Sequence, residues 1–303
     1  MELKSITLAG SLAGHTRRVS AVSLSPDGRQ ALSASLDGSV RVWDLAGGSC
    51  RLVLQHASDV NAVAFTPDGR RALSASGDPV NPEGRAQMWD LASGQPLREF
   101  TGHAGEVSAL AMDAAGRLLA TGGADATVRL WEVETGKLLR KIEGHGAWVR
   151  CVAVTPTGDR ALSGSMDGTV RVWDAATGAN LAKLAAHAEG VHGLAVSPDG
   201  MRALSGGRDG AIRLWDLRAG RILRVLEGHT GPVRCVRFAA DGKWAASGAQ
   251  DKTLRLWDVD AGTAIRSEAT AAWVLSVDLS RDGRRALGGM YDRHVQIWDL
   301  AWS

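Results

Sequence analysis

The dipeptide Trp-Asp, once Trp-Glu, returns seven times along the chain, at Trp43, Trp89, Trp131, Trp173, Trp215, Trp257 and Trp298, with spacings of 46, 42, 42, 42, 42 and 41 residues. Chance does not place seven copies on one period. A repeat in the low forties cannot bury an apolar face alone, so the copies must stack on one another. The composition agrees: 11 Trp stand against 1 Tyr and 3 Phe, a skew expected of a copied segment. A length of 303 residues exceeds the usual size of one compact core, which leaves two domains or a repeat architecture.

Other residues keep step with the Trp. A His stands 28 positions before it at His15, His103, His145, His187 and His229; His56 stands 33 before, and repeat seven has Thr270. An acid stands six before it at Asp37, Asp125, Asp167, Asp209, Asp251 and Asp292, with Glu83 in repeat two. Four before that acid come Ser33, Thr121, Ser163, Ser205 and Ser247; Ser74 is the counterpart in repeat two, and Gly288 replaces it in repeat seven. Within repeat four, residues 149–154 and 160–165 read as strands around a Pro156-Thr157-Gly158 turn. Asp167-Gly168 is a tight hairpin turn, and residues 169–173 and 181–184 give two more strands. No segment has helical periodicity.

Together these marks (Gly-His, Pro-Asp-Gly, Ser, Asp-Gly, Trp-Asp) resemble the WD40 repeat (β-transducin-like) family, in the compact, highly regular form common in prokaryotic signalling proteins. The resemblance covers nearly the whole chain, from about residue 11 to residue 299. It implies an all-β, seven-bladed propeller as a single domain over residues 1–303, with each blade's fourth strand supplied by the start of the following repeat. After Trp298 only five residues remain, so blade seven lacks an outer strand at that end. Residues 1–12, with 6–12 as the strand, are expected to fill that place and close the ring, pairing edges that would otherwise be exposed.

His, Ser and Asp at fixed spacing suggest a hydrolase triad, but a triad is one nucleophile and one oriented base in one cleft. Complete sets occur in repeats one, three, four, five and six, and one active site is not built five times. The resemblance implies structural tetrads instead, running Asp to His to Ser or Thr to Trp. They are His15, Ser33, Asp37 and Trp43; His103, Thr121, Asp125 and Trp131; His145, Ser163, Asp167 and Trp173; His187, Ser205, Asp209 and Trp215; and His229, Ser247, Asp251 and Trp257. Blade seven, without the His and Ser, should rest more on packing and ring closure. Cys50, Cys151 and Cys235 have neither disulfide-framework nor zinc spacing. Cys151 and Cys235 fall where other repeats hold small residues, which reads as tight packing of an inner strand. The recurrent Arg41, Arg129, Arg171, Arg213 and Arg255 mark scaffold. No metal-ligand spacing or phosphate loop is present, so no cofactor, metal or catalytic residue is expected.

In a repeat protein the residues that do not recur carry the function. Trp148 and Trp273 share one register, three after the motif His or its Thr substitute, on the face where the His loops emerge. Residues two further along and those before the turn acid should converge with them. The resulting candidate partner-binding set on this top face is Arg18, Trp148, Arg150, Met166, His192, Arg208, Arg234, Trp273 and Tyr291. Trp, Tyr and Arg dominate interface hot spots. Repeat two also carries about five extra residues within positions 76–83, in a loop expected on that face. Trp244 is placed near an opposite-face turn without a role, and Trp302 over the closing blade. The expected function is a non-catalytic scaffold or regulatory adaptor that binds a protein or peptide. The alternative is a nucleic-acid or phosphate ligand facing Arg17, Arg18, Arg150, Arg208 and Arg234, with bases stacked on Trp148 or Trp273. A net charge of +2 and the nearby Asp59 and Glu106 argue against nucleic acid. With no leader and no apolar run of membrane-spanning length, a cytoplasmic monomer is expected.

Overall fold

Repeat four shows how side chains make the strands. Val149–Val154 carries β-branched and small residues, and Arg160–Ser165 is buried from Ala161 onward. Asp167-Gly168, with Gly168 at φ 83°, turns the chain into Thr169–Asp174. Asn180–Ala185 is largely exposed. In the computed structural model, which describes residues 3–78 and 83–303, this plan recurs as seven four-stranded sheets. Successive inner strands lie side by side round a full circle, and Val19–Leu24 of blade one meets Val274–Leu279 of blade seven. The chain is an all-β seven-bladed propeller.

Neighbouring blades interlock through small residues. A Cβ on Gly164 would lie 2.6 Å from Val191, and one on Gly248 would lie 2.4 Å from Val274. Each glycine, on the second strand of its blade, leaves the space filled by the valine that opens the next.

Closure occurs as expected and extends further. Leu3–Leu12 pairs antiparallel with Val295–Trp302, from Leu3 opposite Trp302 to Leu12 opposite Val295. It is the outer strand of blade seven, whose sheet runs on from Val295–Trp302 through Arg285–Met290 to Val274–Leu279. The inner strands add a second seam: the Val22 amide donates to Ser276 Oγ at 3.1 Å and the Leu24 amide to Asp278 Oδ2 at 2.8 Å. Trp302 does cover the closing blade. Its indole N–H donates to the Gly283 carbonyl at 2.8 Å, and its ring lies 4.8 Å from the buried ring of Trp244 in blade six. Trp244 thus gains a structural role, clasping two blades.

The five complete tetrads form. In each, His Nδ1 lies 2.8–3.0 Å from the Asp carboxylate and Nε2 lies 2.7–2.9 Å from the Ser or Thr hydroxyl. The Trp indole donates to that hydroxyl at 2.7–2.9 Å. One proton arrangement satisfies the chain: indole N–H to hydroxyl oxygen, hydroxyl O–H to Nε2, and Nδ1–H to carboxylate. This arrangement leaves each polar atom of the tetrad with a partner. In blade two, His56 and Trp89 both reach Ser74, at 2.9 and 2.8 Å, while Glu83 bridges through its backbone to Gly105 of blade three. In blade seven, Thr270 bonds within its own loop, to the Ala272 carbonyl. A Cβ on Gly288 would lie 2.7 Å from the Trp298 ring, which fills that space. Packing and closure replace the tetrad there.

Burial, opposed by the Asp partners, pushes His15, His145, His187 and His229 below the ordinary 6.5. Burial and then Arg85 bring His56 to about 4. For Asp37, burial alone would raise the carboxyl, but hydrogen bonds from Ser39, the Thr16 amide and His15 outweigh it and hold it at about 2. A base with a lowered folded pKa binds protons better when unfolded, so its neutral burial is fully stabilising above 6.5 and loses ground as pH falls. The carboxylates lose their contribution later, as pH falls from 3.8 toward 2. The thermal midpoint should therefore be level above about pH 7, decline between about pH 6.5 and 4, and drop again below. A midpoint that stays level or rises from pH 7 to pH 5 in calorimetry would contradict this reading.

Candidate functional site

The seven inner strands share an irregularity that aims side chains at the axis. In each, the antiparallel register to the second strand slips at the second residue: Ser20, Asn61, Ser108, Arg150, His192, Arg234 and Leu275. A β-bulge leaves one residue unpaired and redirects its side chain. All seven bulge residues line the central channel, whose volume is about 980 Å³. A second device brings the loops together. The amide before the turn acid donates to the carbonyl three residues after the motif His or its substitute: Met166 to Trp148 at 2.9 Å, Arg208 to Gly190 at 3.2 Å, Tyr291 to Trp273 at 3.0 Å. The two loop registers read from the sequence therefore meet in every one of these blades.

The bulge residues divide into two groups. In blades one and two they join blades: Ser20 donates to the Ala34 and Val60 carbonyls, and Asn61 to Gly77 at 3.0 Å and Val107 at 3.3 Å. Ser108 of blade three donates to Glu106 at 3.1 Å. In blades four to six they bring Arg150, His192 and Arg234 to the mouth of the channel. Arg234 Nη1 donates to His192 Nδ1 at 3.4 Å, and Arg150 lies 3.6 Å from Glu106. Trp273 and Tyr291 wall the mouth at blade seven with ring centroids 4.8 Å apart, and the Arg18 guanidinium sits over Tyr291 at 5.9 Å.

The mouth is electropositive. Burial, followed by Arg234, Arg150 and Arg208, pushes His192 down to about 3, so its imidazole is neutral at pH 7. Burial, followed by Arg150, also brings Arg234 down to about 10.

Of the nine candidate partner-binding residues, Arg18, Arg150, His192, Arg234, Trp273 and Tyr291 line the channel. Trp148, Met166 and Arg208 do not; they stand outside the mouth. Trp148 is 42% exposed, with the Arg150 guanidinium 6.0 Å from its ring. Met166 lies against Gly190 of blade five, and Arg208 pairs with Glu189 at 3.6 Å. Arg17 is held by Asp59 at 2.8 Å and by the Leu36 carbonyl. Arg17 and Arg208 thus each have an acidic neighbour, as Arg150 has Glu106. Of the insertion in repeat two, residues 79–82 lie outside the described residues.

Sequence reasoning chose Arg150, His192 and Arg234 from their register but did not find the bulge. The signal lay in the variability of that position between a constant Val and a small residue. The tetrad serines are fully buried, and burial pushes the Cys151 and Cys235 thiols, both in the channel wall, up to about 12. No cluster of metal-ligating side chains occurs among the described residues.

Comparison with known proteins agrees with the geometry. Residues 6–44, 48–90, 94–132, 136–174, 178–216, 220–258 and 264–299 each match the family described as WD domain, G-beta repeat. Among similar proteins, "Autophagy-related protein 16" of Arabidopsis thaliana is 28% identical over 115 residues, 38% of this chain and 22% of that protein. "Pre-mRNA-processing factor 19 homolog 2" of the same plant is 30% identical over 111 residues, 37% of this chain and 21% of that protein. "Target of rapamycin complex subunit wat1" of Schizosaccharomyces pombe is 28% identical over 100 residues, 32% of this chain and 30% of that protein. The chain thus spans less than a third of each relative's length.

The two groups of bulge residues should respond differently to substitution. Asn61→Ala removes two hydrogen bonds, the one to Val107 joining blades two and three, and should lower stability by about 1–3 kcal/mol. Arg234→Met removes a charge held near like charges and should leave stability equal or higher. Urea melts showing the same loss for both variants would contradict the division.

Proposed function

We propose that this chain, which belongs to the WD40 repeat family, is a non-catalytic interaction scaffold that binds a protein or peptide across the top-face rim of blades four to seven. The observation that carries this reading is a pair of aromatic rings left in solvent on a rigid frame. Trp148 is 42% and Tyr291 45% exposed, although the other large aromatic side chains are buried or partly buried. Rings held at fixed places by bulges and cross-loop hydrogen bonds lose little freedom on contact, which favours their use as anchors. They stand beside Arg18, Arg150 and Met166, residue types enriched at interfaces.

One relative is by its printed description a subunit of a complex, and another a pre-mRNA-processing factor. Both descriptions are compatible with a scaffold in this chain as well. The tetrad hydroxyls are committed to Trp and His, which supports reading them as structure and not as a catalytic triad. A cytoplasmic monomer remains part of this proposal.

Affinity capture with the wild-type chain as bait, compared with a Trp148→Ala, Trp273→Ala double variant, should identify a partner that the variant fails to retain. With that partner purified, each single alanine variant should cost about 2 kcal/mol, roughly thirtyfold in Kd. Unchanged affinity in both single variants would refute the placement of the rim.

A further inference from the structure

We infer that the channel mouth is built to hold one oxyanion between Arg150 and Arg234, with Arg18 on the opposite side. This deepens the scaffold reading and rests on it for the source of the anion: a phosphoryl or carboxylate group on a side chain of the bound partner.

The argument begins with charge. Three guanidiniums, those of Arg18, Arg150 and Arg234, line the mouth against one carboxylate, Glu106, which leaves an excess of two positive charges. His192, neutral, adds none. Several other arginines in this chain are neutralised or stacked: Arg17 on Asp59, Arg202 on Asp260, Arg237 on Asp278, and Arg171 against Trp173. Arg234 differs. It is set into the wall by its bulge, it donates to His192 alone, and it forms no ion pair among the described residues. A guanidinium presents five N–H donors in a planar fork, so most of those of Arg234 are available to a ligand.

An enclosed, like-charged, under-bonded guanidinium is unfavourable in the empty site and becomes favourable when an anion joins it. The fork matches two oxygens of a phosphoryl or carboxylate group, and a dianion cancels the excess charge. The mouth is also one-sided. The uncharged Ser20 and Asn61 at blades one and two are spent on joining blades, so an anion is drawn toward blades four to six.

The test is an NMR titration of the full chain with inorganic phosphate at constant ionic strength, following arginine Nε–H and indole N–H signals. Saturable shifts of Arg234, Arg150 and Trp273 are expected. Arg234→Gln should weaken binding by about tenfold or more while its thermal midpoint stays at or above that of the wild type. Arg234→Lys, which keeps the charge without the fork, should fall between the two.

N-acetyl-phosphoserine amide and N-acetyl-glutamate amide then decide the source; tighter binding of the first assigns a phosphoryl group, and of the second a carboxylate. Shifts that follow ionic strength alone, or that persist unchanged in Arg234→Gln, overturn the inference. So does a single-stranded RNA that binds more tightly than either amide. If a partner captured through Trp148 and Trp273 binds equally in phosphate and in chloride, the oxyanion site fails and the scaffold stands. If phosphate binds at Arg234 while no partner needs the rim, the scaffold fails and the anion site stands.

Discussion

Antiparallel pairing between Leu3–Leu12 and Val295–Trp302 is the interaction on which the rest of the molecule depends. Without it blade seven would keep three strands with Val295–Trp302 as an exposed edge, and only packing of Val19–Leu24 on blade seven would join the ends of the ring. Once it forms, each inner strand is held on both sides, and the amides of Val22 and Leu24 reach Ser276 and Asp278 across the seam. Trp302 on Trp244 ties the closing blade to its other neighbour. The mouth of the channel exists only because the circle is complete. Arg18 comes from one side of the seam and Tyr291, over which it lies, from the other.

On that frame, polar residues have two separate uses. The tetrads consume the polarity of the outer loops: five His-Asp pairs and their hydroxyls satisfy one another inside each blade, so they hold loops in place and offer nothing to a ligand. The bulges carry the remaining polarity inward. Where a bulge residue is Ser20 or Asn61, it joins neighbouring blades; where it is Arg, it charges the channel, and His192 adds a neutral imidazole. A rigid rim with exposed rings and an electropositive centre suits binding with little reorganisation, which is the basis of the proposed scaffold role.

Much of this was legible in the residues. The period of the Trp fixes the blade count, and the expected return of the leading strand to blade seven is seen in its pairing with Val295–Trp302. Ser33 and Asp37 could be assigned to His15 and Trp43 because the family resemblance implies that tetrad, and the recurrence of the set is why they could be set aside as scaffold. The convergence of Trp273 and Tyr291 followed from register alone. Other features were not legible, for physical reasons. A bulge is a slip of one residue between two strands and leaves no mark in the hydrophobic alternation, so the aim of Arg150 and Arg234 into the channel had to be seen. Arg17 and Arg208 find Asp59 and Glu189 through rotamers that spacing does not encode. Trp244 and Trp302 lie 58 positions apart in sequence and meet only through closure.

Deleting residues 1–12 tests the closure most directly, read by equilibrium urea unfolding together with amide exchange in blade seven. The account predicts a lower midpoint, loss of a single cooperative transition, and fast exchange along Val295–Trp302, with recovery when a peptide of residues 3–12 is added. An unchanged midpoint with the last strand still protected would show that the ring does not need its first strand, and the account would be wrong at its foundation.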